Sequence, residues 1–333
     1  VWYNSVPTSF FHDARSAGPF EFLVAISFSF EYVLTNLLFV PFMSGAAYNG
    51  DMATVTFGFS SQSDEARHMT LGLEVIKFLL EQHEDNVPIV QEWVDKWFWR
   101  GTRVLGIVAM MMDYMLPNKV MSWREAWEVY FEQAGGALFK DLARYGIRAP
   151  KYTDVATAEM DHVSHQTWWN FYNFAAAAGF HTWIPSDKEL DWLSEKYPAT
   201  FDKYYRPRWE LAKKLESEGK RFYSKGLPQL CNCCQVAMVN TELSDPTLIK
   251  YRMSEYKGEK YHFCSEGCQD IFNREPEKFV QSWLPVHQIL QGNCGGPDLE
   301  SVLRDYYGME VGVDNLDMKG SPDELRWNQW KQA

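Results

Sequence analysis

Apolar residues dominate positions 19–43, where Glu21, Glu31, Asn36 and Pro41 are the main interruptions. Carboxylates are costly in lipid, so this run predicts a helix buried inside protein, over 20–48, rather than a membrane span. Asn49-Gly50 breaks it. A second long helix is predicted over 52–83, with Gly58 as its weak point. Asn86-Val87-Pro88 ends that helix, and further helices follow over 89–115 and 122–145, separated by Leu116-Pro117-Asn118. Ser122 and Glu125 have capping-box spacing. Residues 1–18 read as a lead-in segment.

Gly146 to Pro150 reads as a stop and a boundary, followed by helices over 153–178 and 186–217. Between 226 and 285 cysteines, short apolar runs and turn residues replace the helical period. No internal repeat is visible. The expected layout is a helical domain over 1–150, a further helical region over 151–225, a cysteine module over 226–285 and a tail over 286–333. The fold class is mainly α, with a small α+β module near the C-terminus.

Composition supports a folded protein. The chain has 333 residues, 46% hydrophobic and 16% aromatic, enough for a substantial core and unlike a disordered chain. The formal net charge is −12. With no compact Lys/Arg block, nucleic acid and anionic membranes are disfavoured as partners. No charged segment leading into an apolar core opens the chain, so no signal peptide is expected. A first residue of Val1 fits a processed chain or a partial sequence equally, and a cytoplasmic location is expected.

The densest chemistry lies in Asp64-Glu65-Ala66-Arg67-His68. Positions i and i+3 of a helix share a face, so Glu65 and His68 can address one metal ion. Glu31 stands alone among apolar residues, where a charge is costly unless paired, protonated or bound to metal. If the chain reverses at Asn49-Gly50, Glu31 lies 18 residues before the turn and Glu65 lies 15 after it. At 1.5 Å per residue those are about 27 Å and about 22 Å, within roughly one helical turn of the same height. An antiparallel hairpin would bring the two carboxylates face to face. Ferritin-like di-iron bundles use a lone Glu from each of two helices and a Glu-x-x-His from each of two others, so this is half of such a set.

The bland alternative for Glu65 and His68 is a solvated helix face. Two further pairs share the spacing. Glu159 and His162 have the acidic neighbours of a solvated face, and Glu259 and His262 fall in the cysteine region.

All six cysteines lie between positions 231 and 294. Cys231-x-x-Cys234 and Cys264-x-x-x-Cys268, 29 residues apart, read as a tetrahedral four-cysteine zinc site. Cys233 leaves the ligand register open, and Cys294 reads as a free thiol. Disulfides are the alternative, disfavoured in a cytosolic protein. With no open coordination position the zinc would be structural.

The residues from Phe28 through Met69, with Phe30-Glu31-Tyr32, Thr35-Asn36 and Gln62 through His68, resemble the large hydroxylase subunit of bacterial multicomponent monooxygenases, phenol hydroxylases in particular. The resemblance continues through Asp85 to Tyr152 and the cysteine region. It implies a ferritin-like di-iron bundle of which this chain holds the second half, the first Glu and Glu-x-x-His lying further upstream. Glu31, Glu65 and His68 would ligate iron, and Asp64 and Arg67 would orient those ligands. Thr35 would line the oxygen pocket and help move protons, with Asn36 and Gln62 as polar neighbours. Phe30 and Phe39 would line the substrate pocket, although either could equally be ordinary core. Cys231, Cys234, Cys264 and Cys268 would hold zinc.

The implied reaction is hydroxylation of phenol and methylphenols to catechols with O2. Electrons would come from NADH through a separate reductase carrying FAD and a [2Fe-2S] cluster. Two smaller hydroxylase subunits and a cofactorless regulatory protein would be partners. Two other readings stand beside it: a non-catalytic helical scaffold subunit with a zinc module, and a ferritin-like storage protein, disfavoured by the aromatic richness and the cysteine module.

Overall fold

The computed structural model describes residues 2–116, 118–172, 183–219, 229–238 and 252–280. Across it the apolar run forms one helical element, α2. It starts as an α-helix at Pro19–Leu23, widens to a π-helix over Val24–Thr35 and narrows again over Asn36–Tyr48. Gly50 adopts φ +78°, a conformation open to glycine without a Cβ penalty. Asp51 then caps the next helix, accepting from the Thr54 amide at 3.0 Å and the Thr54 hydroxyl at 2.6 Å. That helix, α3, runs over Met52–Gln82. Its inner stripe is Val55, Gly58, Met69, Gly72, Ile76 and Leu80, the three-and-four spacing of a helix seam. Met43 lies beside Gly58 and Ser27 beside Gly72, the crossing order of an antiparallel pair.

Three expectations need correcting. Residues 1–18 are not a mere lead-in: Trp2–Arg15 forms helix α1, because Phe10 and Ala14 have a core to enter beside Val24, Ala25 and Phe28. The break after α3 falls at 83–85, not 86–88. His83 is extended and Asn86–Met110 is already helix α4. Pro88 sits in its first turn, where the missing N–H costs nothing. Gly58 does not interrupt α3; it is buried against Met43.

Helix α4 is the hub of the first unit, apolar on most faces and buried along most of its length. It carries Val90, Val94 and Trp97 into the core. It ends in a π-turn at Met111–Met115. The expected capping box is present: Ser122 accepts from the Glu125 amide at 3.2 Å and Glu125 accepts from the Ser122 amide at 2.8 Å. Helix α5 follows as Trp123–Ala126, a π-helix at Trp127–Gly135 and Gly136–Leu142. Gly146 at φ +86° stops it.

The stop at Gly146–Pro150 is not the boundary. Arg148 donates its amide to Gln91 at 2.7 Å and Lys151 donates its amide to Asp95 at 2.8 Å, which ties this segment to α4. The chain divides instead at 164/165, one unit being Ser9–Ser164 and the other Val1–Thr8 with His165–Ala333.

In the second unit, His165 is buried among the rings of Tyr197, Phe201 and Tyr205. Trp169 meets Trp209 edge-on at 4.8 Å. The cysteine module contains two antiparallel hairpins, β1 (Gln229–Leu230) with β2 (Ala237–Met238) and β3 (Arg252–Tyr256) with β4 (Glu259–Phe263). Two short helices follow at Glu266–Arg274 and Pro276–Val280. The mainly α reading with a small α+β module therefore holds. No described helix is long and apolar enough to cross a membrane.

Arg100 pairs with Asp13 at 3.3 Å, their side chains 0% and 3% exposed. Removing one partner strands a buried charge. Arg100→Ala is expected to cost about 3–5 kcal/mol of unfolding free energy, by chemical denaturation, and Asp13→Leu with Arg100→Met much less.

Candidate metal centres

Glu31 projects from the π-helical stretch of α2, and Glu65 and His68 from α3. Nδ1 of His68 lies 3.4 Å from Oε1 of Glu31 and 3.5 Å from Oε2 of Glu65. One ligand atom from each residue can be chosen so that all three lie within 4.8 Å of one another. The two carboxylates are mostly buried, at 15% and 25% exposure, while His68 is 56% exposed. Burial and then the like charge of Glu65 push the Glu31 carboxyl above the usual carboxylate range, and His68 and a hydrogen bond from Ser27 draw it back. Oε2 of Glu31 and Oε2 of Glu65 are buried and accept no hydrogen bond. The His68 approach to Glu65 is an ion-pair contact only. Two facing carboxylates with spare buried lone pairs and an imidazole at hand fit a divalent cation of the oxygen- and nitrogen-preferring kind, iron included.

The other expected residues divide. Gln62 is half-buried three residues before Glu65 on the same helix. Thr35 and Asn36 lie in the helix, with their side chains outside the described residues. Among the contacts described for Asp64 and Arg67, none joins them to Glu31, Glu65 or His68. They pair with each other at 3.1 Å on the outside of α3, 68% and 78% exposed. Each precedes a ligand by one residue, which rotates it by about 100° around the helix.

Phe30 is half-buried at the edge of the core, packing against Phe10 and Phe11 of α1 with ring centroids 5.5 and 5.0 Å apart. Phe39 is half-buried. Glu159 is engaged by Arg103 at 2.5 Å. Glu259 and His262 lie on strand β4, where positions i and i+3 point to opposite faces. Ser27 was missed by sequence reading. Its signal was there, a hydroxyl four residues before the lone Glu.

In the second centre, the Sγ atoms of Cys231, Cys234, Cys264 and Cys268 lie within 4.8 Å of one another, all four residues buried. Cys264 is 3.6 Å from both Cys234 and Cys268. This grouping favours Cys231 over Cys233 in the register, although Cys233 is buried close by. The turn at 232–234 is clamped to β4, since Asn232 donates its amide to the His262 carbonyl and accepts from the His262 amide, both at 2.8 Å. Gln235 closes the turn at φ +65°. Burial, then hydrogen bonding among the thiols, pushes the Cys234 thiol well up. Four converging thiols in such a pocket suit a metal dication that holds them as thiolates. Cys294 lies outside the described residues.

Residues 1–83 match the family described as methane/phenol/alkene hydroxylase, and residues 244–283 match the YHS domain. The chain is 67% identical over 327 residues to the phenol 2-monooxygenase oxygenase component DmpN of Pseudomonas sp. strain CF600, covering 98% of this chain and 63% of that protein. It is 23% identical to the methane monooxygenase component A alpha chain of Methylococcus capsulatus, over 84% of this chain and 53% of that one. Among solved structures, xenon-pressurized phenol hydroxylase from Pseudomonas sp. OX1 superimposes with a TM-score of 0.87 at 69% identity, over 100% of this chain and 67% of that chain. The chain thus spans 63% of the length of the DmpN relative and about half of the methane monooxygenase chain.

The two clusters share no residue, so they should be separable. Cys264→Ser is expected to lower bound zinc at least about tenfold, read by elemental analysis after dialysis, while leaving metal binding at Glu31, Glu65 and His68 unchanged.

Proposed function

Because this chain belongs to the methane/phenol/alkene hydroxylase family, we propose that it forms part of the iron-holding body of a phenol 2-monooxygenase oxygenase component. The reaction is ring hydroxylation of phenol and methylphenols to catechols. The observation that carries this reading is the convergence of Glu31, Glu65 and His68 on one antiparallel hairpin inside the family-matched residues 1–83. High identity to DmpN and to the solved phenol hydroxylase favours phenols over the alkanes and alkenes of more distant relatives.

The two carboxylates and the imidazole hold iron, and iron, when bound, supplies the electrons that activate O2. The Ser27 hydroxyl favours the charged form of the Glu31 carboxylate. The apolar walls of α2 keep water from the buried side of the pair. Three donor groups are too few for two iron ions. We assign the remaining ligands to the part of the relatives' length that this chain does not match. Thr35 lines the oxygen pocket and helps move protons, Asn36 and Gln62 are polar neighbours of the metal, and Phe30 and Phe39 are pocket walls. Zinc at the four cysteines is structural and fastens two short hairpins whose own apolar core, around Phe263 and Phe272, is small.

An oxygenase component needs a source of electrons. The proposed source is an NADH-dependent reductase carrying FAD and a [2Fe-2S] cluster. Two smaller hydroxylase subunits and a regulatory protein complete the system, in the cytoplasm.

Glu65→Ala tests this directly in the reconstituted system. Catechol formation from phenol is expected to fall by on the order of a hundredfold or more, with bound iron reduced and zinc retained. Unchanged iron and turnover would overturn the assignment.

A further inference from the structure

The iron ligands sit between two close approaches of the helices. Gly58 and Gly72 lie seven residues before and seven after Glu65, so all three share one stripe of α3. A Cβ at position 58 would come within 2.5 Å of Met43 Cγ and 2.8 Å of its Sδ. A Cβ at position 72 would overlap Ser27 Cβ and lie 3.2 Å from the Ser27 carbonyl carbon. Real side chains do not tolerate such distances, and the separation of two packed helices is set by the side chains at their contact. Both glycines are buried.

The Ser27 hydroxyl lies near enough to the Glu31 carboxylate to draw its pKa down. The Ser27 Cβ is the part pressed closest on Gly72, with its carbonyl carbon and Cα just behind. Ser27 and Glu31 both lie in the π-helical stretch Val24–Thr35, a geometry that recurs at functional sites.

Resting on the iron reading above, we propose that Gly58, Gly72 and Ser27 are positioning residues for the metal. The two glycines fix the distance between α2 and α3 above and below the ligands. Ser27, seated directly on Gly72, orients Glu31 toward Glu65 and His68. None of the three touches the ion.

The experiment is an anaerobic ferrous-iron titration of the full-length oxygenase component, with far-UV circular dichroism and thermal melting on each variant. Gly72→Ala is expected to weaken iron binding about tenfold or more at unchanged helicity. Adding Ser27→Gly, which removes the opposing Cβ, is expected to return affinity to that of Ser27→Gly alone. Gly58→Ala should behave in the same way, with Met43→Ala as its relief. If Gly72→Ala does not fold, the double variant decides: affinity matching Ser27→Gly supports the proposal, and lost affinity in a folded double variant overturns it. A Gly72→Ala protein that binds iron like wild type overturns the positioning role alone. Wild-type protein that binds no iron overturns the iron reading and the positioning role together.

Discussion

A carboxylate placed in an apolar helix is the constraint from which this structure follows. Glu31 cannot stay charged and alone on the inner side of α2 without a large desolvation cost. The antiparallel partner α3 answers with His68 and brings a second acid, Glu65, whose charge raises the cost again. Packing alone does not require two buried acids with orphaned oxygens. A cation between them would resolve the conflict, which is the reading proposed for this site.

The rest of the first unit holds that hairpin still. The buried α4 supplies a wall of Trp97 and valines, and its Arg100 anchors α1 through Asp13. The π-helical widening of α2 covers Ser27 and Glu31 together. The cysteine cluster meets a different need. Its apolar core is small, Phe263, Ile271, Phe272 and Phe279, and a dication held by the four thiolates would tie the hairpins together beside it.

Much of this was legible in the sequence because it depends on local chemistry. Asn49-Gly50 marked the turn, and near-equal spacing on either side of it brought Glu31 to Glu65 and His68. The Ser122 capping box and the paired cysteines were equally local. What escaped depends on distant contacts. Helix α1 is stabilised by Arg100, 87 positions away from Asp13. Gly58 looked like a defect until Met43 was seen to fill the space beside it.

The most direct measurement is X-ray absorption at the iron edge of the loaded protein, compared with a His68→Ala variant. The account predicts an iron shell of oxygen and nitrogen neighbours without sulfur, and a weaker imidazole signal when His68 is removed. Sulfur neighbours around iron, or an imidazole signal unaffected by the substitution, would contradict it.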